Sequence, residues 1–316
     1  PDRAWDDARH RSWGETSDAS TEIYIGTRFA QEVILNDEIR DRPPSRPTDT
    51  DTGAESEAAA ATATGMAPAA SVASLEAAGV AHDRRPERVM VIVAHPDDAD
   101  FGPAATIAGW VRGGSAAHLV CCTSGDAGGE DARADPLVLA RTRETEQRAA
   151  AAVVGYEEVT FLHRPDGALE NDLPLREQLV RVIRTFRPDA VLTMDPTVLI
   201  HQDGYIQHTD HRAAAMAALD AVYPAARNPM AFPHLVTDEG LDAHVVKWLY
   251  LFWTDKADVW VDTTGTVEVR IAALREHRSQ IREPEELEKR IREWSGEAGQ
   301  LIGTEAADAF RLVDIS

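Results

Sequence analysis

The sequence predicts an α/β protein with a Rossmann-like, doubly wound and mostly parallel sheet that carries helices on both faces. From about residue 88 onward, apolar runs of strand length alternate with helical patterns, which favours parallel strands joined by crossover helices. The first run, residues 90–94, is continuously apolar, as expected of a strand covered on both faces. It ends in a histidine and several aspartates, and folds of this class build their sites beyond the carboxyl ends of the strands.

The elements of this domain are predicted in chain order from their residue patterns. A helix of small residues over 102–112 can pack closely on the sheet, and the apolar run 117–123 predicts the second strand. A long amphipathic helix over 136–154 is terminated by Gly155. Later strands are predicted at 159–162, 190–193, 248–253 and 259–261, and later helices at 175–186, 210–223, about 264–281 and 284–295.

Residues 1–86 differ in composition from the domain that follows them. Trp5, Trp13 and the segment 22–26 predict a small ordered element near the start. The alanine-rich run 58–77 lacks the large apolar side chains at regular spacing that pack a helix, so it is predicted to be a linker. We therefore expect a partly disordered N-terminal extension over 1–86 and an α/β domain over 87–316.

Composition and charge limit the class of protein. The chain has 316 residues, of which 43% are hydrophobic and 27% charged, and its formal net charge is −22. This acidity argues against nucleic acid or an anionic membrane surface as a partner. No apolar run reaches membrane-spanning length, and no signal-peptide pattern opens the chain. The two cysteines, Cys121 and Cys122, are adjacent on a strand and are not expected to bridge, so we expect a cytoplasmic protein.

Polar residues capable of metal chemistry follow the first strand directly. Pro96 has no amide hydrogen for a strand ladder, so the strand is expected to stop at His95. Three carboxylates, Asp97, Asp98 and Asp100, come next. One imidazole and several carboxylates at a sheet edge can supply metal ligands and a general base together.

A second polar cluster begins the helix after the fourth strand. His208 and His211 are three residues apart, so at a helix start both side chains can face one space. Asp210 lies between them and can orient an imidazole through its second ring nitrogen. With the cluster after the first strand, these residues can provide the three ligands and the open position of a catalytic zinc ion.

The two clusters carry a family resemblance. Residues 94–98, Ala-His-Pro-Asp-Asp, are followed after one spacer by Asp100 and resemble the A-H-P-D-D-E signature of the LmbE-like, or PIG-L, family of zinc-dependent N-deacetylases. Residues 208–211, His-Thr-Asp-His, resemble that family's H-P-D-H string, with Thr209 in place of proline. The resemblance covers the chain from about Arg88 to the C-terminal region and leaves residues 1–86 outside.

The resemblance implies a role for each residue of the two clusters. It implies one zinc ion per chain, with His95, Asp98 and His211 as its ligands. It implies that Asp97 is the general base that takes a proton from the attacking water. His208 would then stabilise the oxyanion or protonate the departing amine.

Three further residues match substrate contacts of the family. Arg143 lies on the long helix, although a solvated pair with Glu146 is the alternative. Asp166 resembles an aspartate that binds sugar hydroxyls, with a simple turn residue as the alternative. Tyr205 resembles a carbonyl-polarising tyrosine, but it stands one residue further from His208 than in those relatives.

The functional expectation is a hydrolase that removes the acetyl group from an N-acetylglucosamine-type amino sugar of a small molecule or glycoconjugate. The alternative within the family is an amidase that cleaves a larger amide of a thiol conjugate of glucosaminyl-inositol. A non-catalytic metal-binding or nucleotide-binding module is the alternative of another class, but no G-x-G-x-x-G follows the first strand. The roles of Asp100 and His277, the native metal, the substrate and homo-oligomerisation are left open.

Overall fold

The computed structural model describes residues 81–129, 131–201 and 204–316. The element predicted near Trp5 and Trp13 and the linker predicted over 58–77 lie outside these residues. Within them, no helix combines the length and the apolar character needed to cross a bilayer.

In the part of the chain that the structure describes, seven strands form a mixed sheet in which most neighbours are parallel. The strands are β1 (Arg88–Val93), β2 (Ala116–Thr123), β3 (Glu158–Arg164), β4 (Ala190–Met194), β5 (Trp248–Phe252), β6 (Val259–Asp262) and β7 (Ala307–Asp314). Their order in the sheet is β3-β2-β1-β4-β5-β7-β6. The first five strands pair in parallel, and β7 pairs antiparallel with both β5 and β6. The predicted α/β class and mostly parallel sheet are thus confirmed.

Helices connect the strands. They are α1 (Asp98–Phe101), α2 (Ala104–Arg112), α3 (Pro136–Val154), α4 (Leu173–Phe186), α5 (Thr209–Asp220), α6 (Pro233–Thr237), α7 (Val267–Leu274) and α8 (Pro284–Gln300), with a π-helical turn at Ala221–Ala226. The long helix α3 has the predicted ends. The Asp135 carboxylate accepts a hydrogen bond from the Leu137 amide at its start, and Gly155 ends it with φ of 101°.

Strand β1 is at the centre of the core. Residues 89–93 are completely buried, which explains their continuous apolar character. From β1 the chain proceeds through β2 to β3 on one side, and it then returns to β4 on the other side of β1. This change of direction creates a crevice beyond the carboxyl ends of β1 and β4, the usual position of a ligand in such sheets.

Two of the differences from the predicted elements affect the surroundings of the polar cluster after β1. The helix predicted over about 264–281 ends at Leu274, and residues 275–281 form turns that bury His277 completely. Strand β7 was not predicted from the sequence pattern, because the charged Asp308 interrupts its apolar residues. The structure accounts for this charge with an ion pair to the buried Arg270 of α7.

The Arg270–Asp308 pair connects the C-terminal strand to the segment that follows β1. Asp308 Oδ2 accepts hydrogen bonds from the Thr106 amide at 3.1 Å and the Thr106 hydroxyl at 2.7 Å. The Arg270 guanidinium donates to the carbonyl oxygen of Gly102, directly after α1. Strand β7 and helix α7 therefore support α1 and the start of α2.

Residues 81–86 contact the domain, several residues before the predicted boundary at 87. Ala81 forms an isolated bridge with Trp260, and the His82 amide donates to the Trp260 carbonyl at 2.7 Å. His82 Nε2 lies 2.8 Å from the Tyr250 hydroxyl. We propose that the folded unit begins near Ala81.

A chain that begins at Ala81 should have the same thermal midpoint as the full chain. A chain that begins at Arg88 loses the contacts with Trp260 and Tyr250, so its midpoint should fall by roughly 2–4 °C for each kcal/mol lost. Thermal unfolding followed by circular dichroism measures both. A lower midpoint for the Ala81 chain would show that earlier residues contribute to the folded domain.

Candidate active site

The turn after β1 places Asp97 in a left-handed backbone conformation. Its φ is 97°, a region that few residues other than glycine adopt and in which aspartate is enriched. The Asp97 amide donates to Gln147 Oε1 at 2.7 Å, and its carboxylate Oδ2 lies 3.3 Å from Arg143 Nη2. Burial raises the pKa of Asp97, the positive charge of Arg143 opposes this rise, and the negative charge of Asp98 adds to it.

The neighbouring carboxylate of Asp98 has a different environment. Its Oδ2 accepts hydrogen bonds from the amides of Ala94 at 3.1 Å and His95 at 2.8 Å. Its Oδ1 lies 3.1 Å from His211 Nε2. Burial alone would raise the pKa of Asp98, but His211 and His95 outweigh it and hold this pKa well below its usual range. Two adjacent carboxyl groups thus differ in proton affinity.

His95 is held by two carboxylates through one ring nitrogen. His95 Nε2 lies 3.0 Å from Asp166 Oδ1 and 3.3 Å from Asp210 Oδ2. Asp210 Oδ2 also accepts a hydrogen bond from the Gly167 amide at 2.7 Å, which fixes this carboxylate. Burial would raise the pKa of Asp166, yet the contact with His95 lowers it to about 2. The other nitrogen, His95 Nδ1, lies 3.6 Å from Asp98 Oδ2.

His208 caps the start of helix α5 and faces the same space. Its Nδ1 accepts a hydrogen bond from the Asp210 amide at 3.1 Å. The His208 ring centroid lies 4.9 Å from that of His95 and 5.2 Å from that of His211. Burial, followed by the neighbouring His95 and His211, lowers the pKa of His208 to about 4. The ring is therefore neutral at physiological pH.

The side chains grouped here fit a divalent metal ion. Ligand atoms of His95, His208 and His211 all lie within 4.8 Å of one another, and so do those of His95, Asp166 and Asp210. Asp98, predicted as the third ligand, contacts His211 directly. Imidazole nitrogens with one carboxylate are the donors that zinc prefers in catalytic sites. The three-histidine group therefore differs from the predicted ligand set in one member, because it contains His208 in place of Asp98.

The three predicted substrate contacts occupy different positions. Asp166 lies beside His95, within the site. Arg143 is buried, and its guanidinium donates to the carbonyl oxygens of Gly125 at 3.1 Å and Pro96 at 2.7 Å as well as contacting Asp97. Tyr205 is half-buried, with its ring centroid 5.7 Å from that of His201. The contacts of these three residues with substrate stay predictions.

One residue of the site is not indicated by either sequence cluster. Gln147 is completely buried on α3 and contacts both Asp97 and Asp100. Its position four residues after Arg143, on the same helix face, is the signal in the sequence that marks it. Asp100 in turn contacts His277. The two residues whose roles the sequence left open, Asp100 and His277, are thus connected through Gln147 to the turn at Asp97.

Comparison with known proteins identifies relatives of this chain. The family model described as "GlcNAc-PI de-N-acetylase", PIG-L, matches residues 90–222, which include both polar clusters. The diacetylchitobiose deacetylase of Thermococcus kodakarensis is 30% identical over 231 residues, covering 72% of this chain and 83% of that protein. A Mycobacterium 1D-myo-inositol 2-acetamido-2-deoxy-alpha-D-glucopyranoside deacetylase is 30% identical over 260 residues, covering 68% and 82%.

A solved structure shares the fold. The N,N'-diacetylchitobiose deacetylase of Pyrococcus horikoshii, complexed with its inhibitor MPG, superimposes with a TM-score of 0.66 at 28% identity. The match covers 72% of this chain and 84% of that one. The matched part of the chain is thus similar to deacetylases in both sequence and structure.

Replacing either predicted histidine ligand should weaken metal binding while the sheet still folds. His95→Ala and His211→Ala should each bind zinc at least about 10²-fold more weakly, because losing even the groups that orient a ligand costs 10–100-fold. Titration with zinc and elemental analysis measure this. His234→Ala, which removes a half-exposed histidine paired with Glu177, is the control and should bind zinc normally. Unchanged affinity in His95→Ala and His211→Ala would contradict the ligand assignment.

Proposed function

Because the chain belongs to the PIG-L family, we propose that it is a zinc-dependent hydrolase that removes the acetyl group from an N-acetylglucosamine-type amino sugar. The observation that supports this most is the group of metal-ligating side chains beyond β1, in which His95, His208 and His211 lie together and Asp98 contacts His211. The two adjacent carboxylates there also have opposite pKa shifts, with the pKa of Asp97 raised and that of Asp98 lowered. A hydrolase that activates water beside a metal needs these two properties in neighbouring groups, because the base must accept a proton and the ligand must stay ionised.

We assign His95, Asp98 and His211 as the groups that hold zinc. Asp98 contacts His211 and lies near His95 Nδ1, while the opposite nitrogen of His95 contacts Asp166 and Asp210. Such outer carboxylates orient a ligating imidazole and make it a better donor. When bound, zinc supplies Lewis acidity, which lowers the pKa of water to about 7 and polarises an amide carbonyl.

Asp97 is proposed to accept the proton of the attacking water. Its carboxylate belongs to the same turn as the ligands, and its raised pKa brings its basicity closer to neutral pH. Arg143 contacts the carboxylate from the side of α3 and keeps it in one orientation.

His208 is proposed to donate a hydrogen bond to the oxygen that becomes negative during attack on the amide. The Asp210 amide donates to its Nδ1, so the hydrogen of the neutral ring is on Nε2. A neutral imidazole with this tautomer is a hydrogen-bond donor toward the site. Between the two roles predicted for His208, this geometry favours stabilisation of the oxyanion over protonation of the amine.

The partner implied by this proposal is a small amino-sugar substrate. The curated relatives reported above are named for a disaccharide and for an inositol glycoside, and both carry an N-acetylated glucosamine unit. The segments over 124–136, 195–207 and 224–246 are the proposed determinants of the remainder of the substrate. An amidase that cleaves a larger acyl group is the second candidate, and it differs only in what these segments accept.

Activity assays should separate these candidates. We expect release of free amine from N-acetylglucosaminides, loss of that release with a chelator, and its return when zinc is added. A series of N-acyl glucosaminides with growing acyl chains, analysed by amine detection, gives the preference. Faster release from long acyl groups would favour the amidase, and no metal-dependent amine release from any member would contradict the proposed function.

Replacing each of the two adjacent aspartates by asparagine should affect zinc binding and turnover differently. Asp97→Asn should bind zinc normally and reduce turnover by roughly 10²–10⁴, the contribution of general acid–base catalysis, because asparagine cannot accept the proton. Asp98→Asn should instead bind zinc weakly, since an amide oxygen is a poor replacement for a carboxylate ligand. Metal content and turnover are measured together for both. Loss of zinc in Asp97→Asn with retention in Asp98→Asn would mean that the two roles are exchanged.

A further inference from the structure

A chain of buried hydrogen bonds extends from the backbone of Asp97 into the protein. The Asp97 amide donates to Gln147 Oε1 at 2.7 Å, and Gln147 Nε2 donates to Asp100 Oδ2 at 2.7 Å. His277 Nε2 lies 2.9 Å from the same oxygen of Asp100. Gln147, Asp100 and His277 are all completely buried, so water does not compete for these contacts.

The direction of each hydrogen bond between Asp97, Gln147 and Asp100 follows from which groups can donate and which can accept. A backbone amide is a donor only, so the Gln147 oxygen must face Asp97. The Gln147 amide nitrogen must then face Asp100, whose carboxylate is an acceptor. The Gln147 side chain therefore has one orientation, and the carboxylate of Asp100 selects it.

We propose that Gln147 is a positioning residue that holds Asp97 in its left-handed conformation and so directs the Asp97 carboxylate toward the reacting water, with Asp100 and His277 fixing the Gln147 amide. A non-glycine residue with φ of 97° persists only where its surroundings determine the backbone. Helix α3 fixes Asp97 at two points, because Arg143 contacts its carboxylate and Gln147 accepts from its amide. The proposal rests on the proposed function in one respect, the role of Asp97 as the base.

Replacement of Gln147 by methionine removes the acceptor while keeping an unbranched side chain of similar length. We expect Gln147→Met to bind zinc normally, to keep KM within about threefold and to lose about tenfold to 10²-fold in kcat, the effect of a misplaced catalytic group. Gln178→Met is the matched control, because Gln178 is also a helical glutamine, on α4, and its side-chain oxygen accepts no hydrogen bond within the described residues. A role in packing alone would lower the thermal midpoint and leave kcat of the folded, zinc-loaded variant unchanged, and that result would overturn the proposal.

Hydrogen exchange tests the same contact without any activity measurement. In zinc-loaded protein, the Asp97 amide should exchange at least about tenfold faster in Gln147→Met than in the unmodified chain, because its acceptor is lost. Equal protection would overturn the proposal. If the unmodified chain proves to have no hydrolase activity, the proposed function fails, and this exchange measurement still decides whether Gln147 holds the Asp97 backbone.

A pair of substitutions that reverses the hydrogen-bond polarity provides a rescue. Gln147→Glu alone keeps an acceptor for the Asp97 amide but brings two carboxylates together, so kcat should fall at a pH high enough to ionise both groups. Asp100→Asn added to it places an amide nitrogen where the shared carboxylate oxygen stood, with one hydrogen for the new carboxylate and one for His277 Nε2 in its accepting tautomer. We expect kcat to recover by about tenfold, the value of one restored buried hydrogen bond. A double variant no more active than Gln147→Glu would contradict the orientation argument.

Discussion

The hydrogen bonds from the Ala94 and His95 amides to the Asp98 carboxylate are the interaction on which the site depends. They close the turn directly after β1, so that Asp98 points back toward the strand end, while Asp97 beside it has the left-handed conformation and is contacted from α3. One carboxylate is thereby placed between two histidines, and its neighbour is placed beside Arg143. A short turn thus gives two identical side chains different environments and opposite pKa shifts, which is the usual means by which proteins assign different roles to paired carboxyl groups.

Sheet topology brings the two histidine clusters together. The turn after β1 and the start of helix α5 are more than a hundred residues apart in sequence, but β1 and β4 are neighbours and the crevice lies between their ends. Helix α3 contributes from a third direction through Arg143 and Gln147. Each group of the site therefore lies in a regular element or within two residues of one, which keeps side chains in place without a bound ligand.

The sequence predicts those parts of the fold and the site that depend on local patterns. Helix α3 has its predicted ends because both terminators, Asp135 and Gly155, act within one turn. The proximity of His95 and His211 follows from the rule that parallel strands end at one edge. Strand β7 could not be predicted because the charge of Asp308 is neutralised by a residue 38 positions away. The hydrogen bonds from Asp97 through Gln147 to Asp100 likewise depend on tertiary contacts, which the spacing of residues in the sequence does not indicate.

The hydrogen bonds between Asp308 and Thr106 have a consequence for the kinetics of folding. They connect residues 202 positions apart, and the contact of Arg270 with Gly102 spans 168 positions. Contacts of such separation form slowly, since the entropy of a long loop must be lost before they stabilise anything. We expect these contacts, which support α1 and the start of α2, to form only when β7 pairs between β5 and β6. Partly folded chains would then contain every candidate metal ligand, but the ligands would not yet be arranged to bind a metal ion.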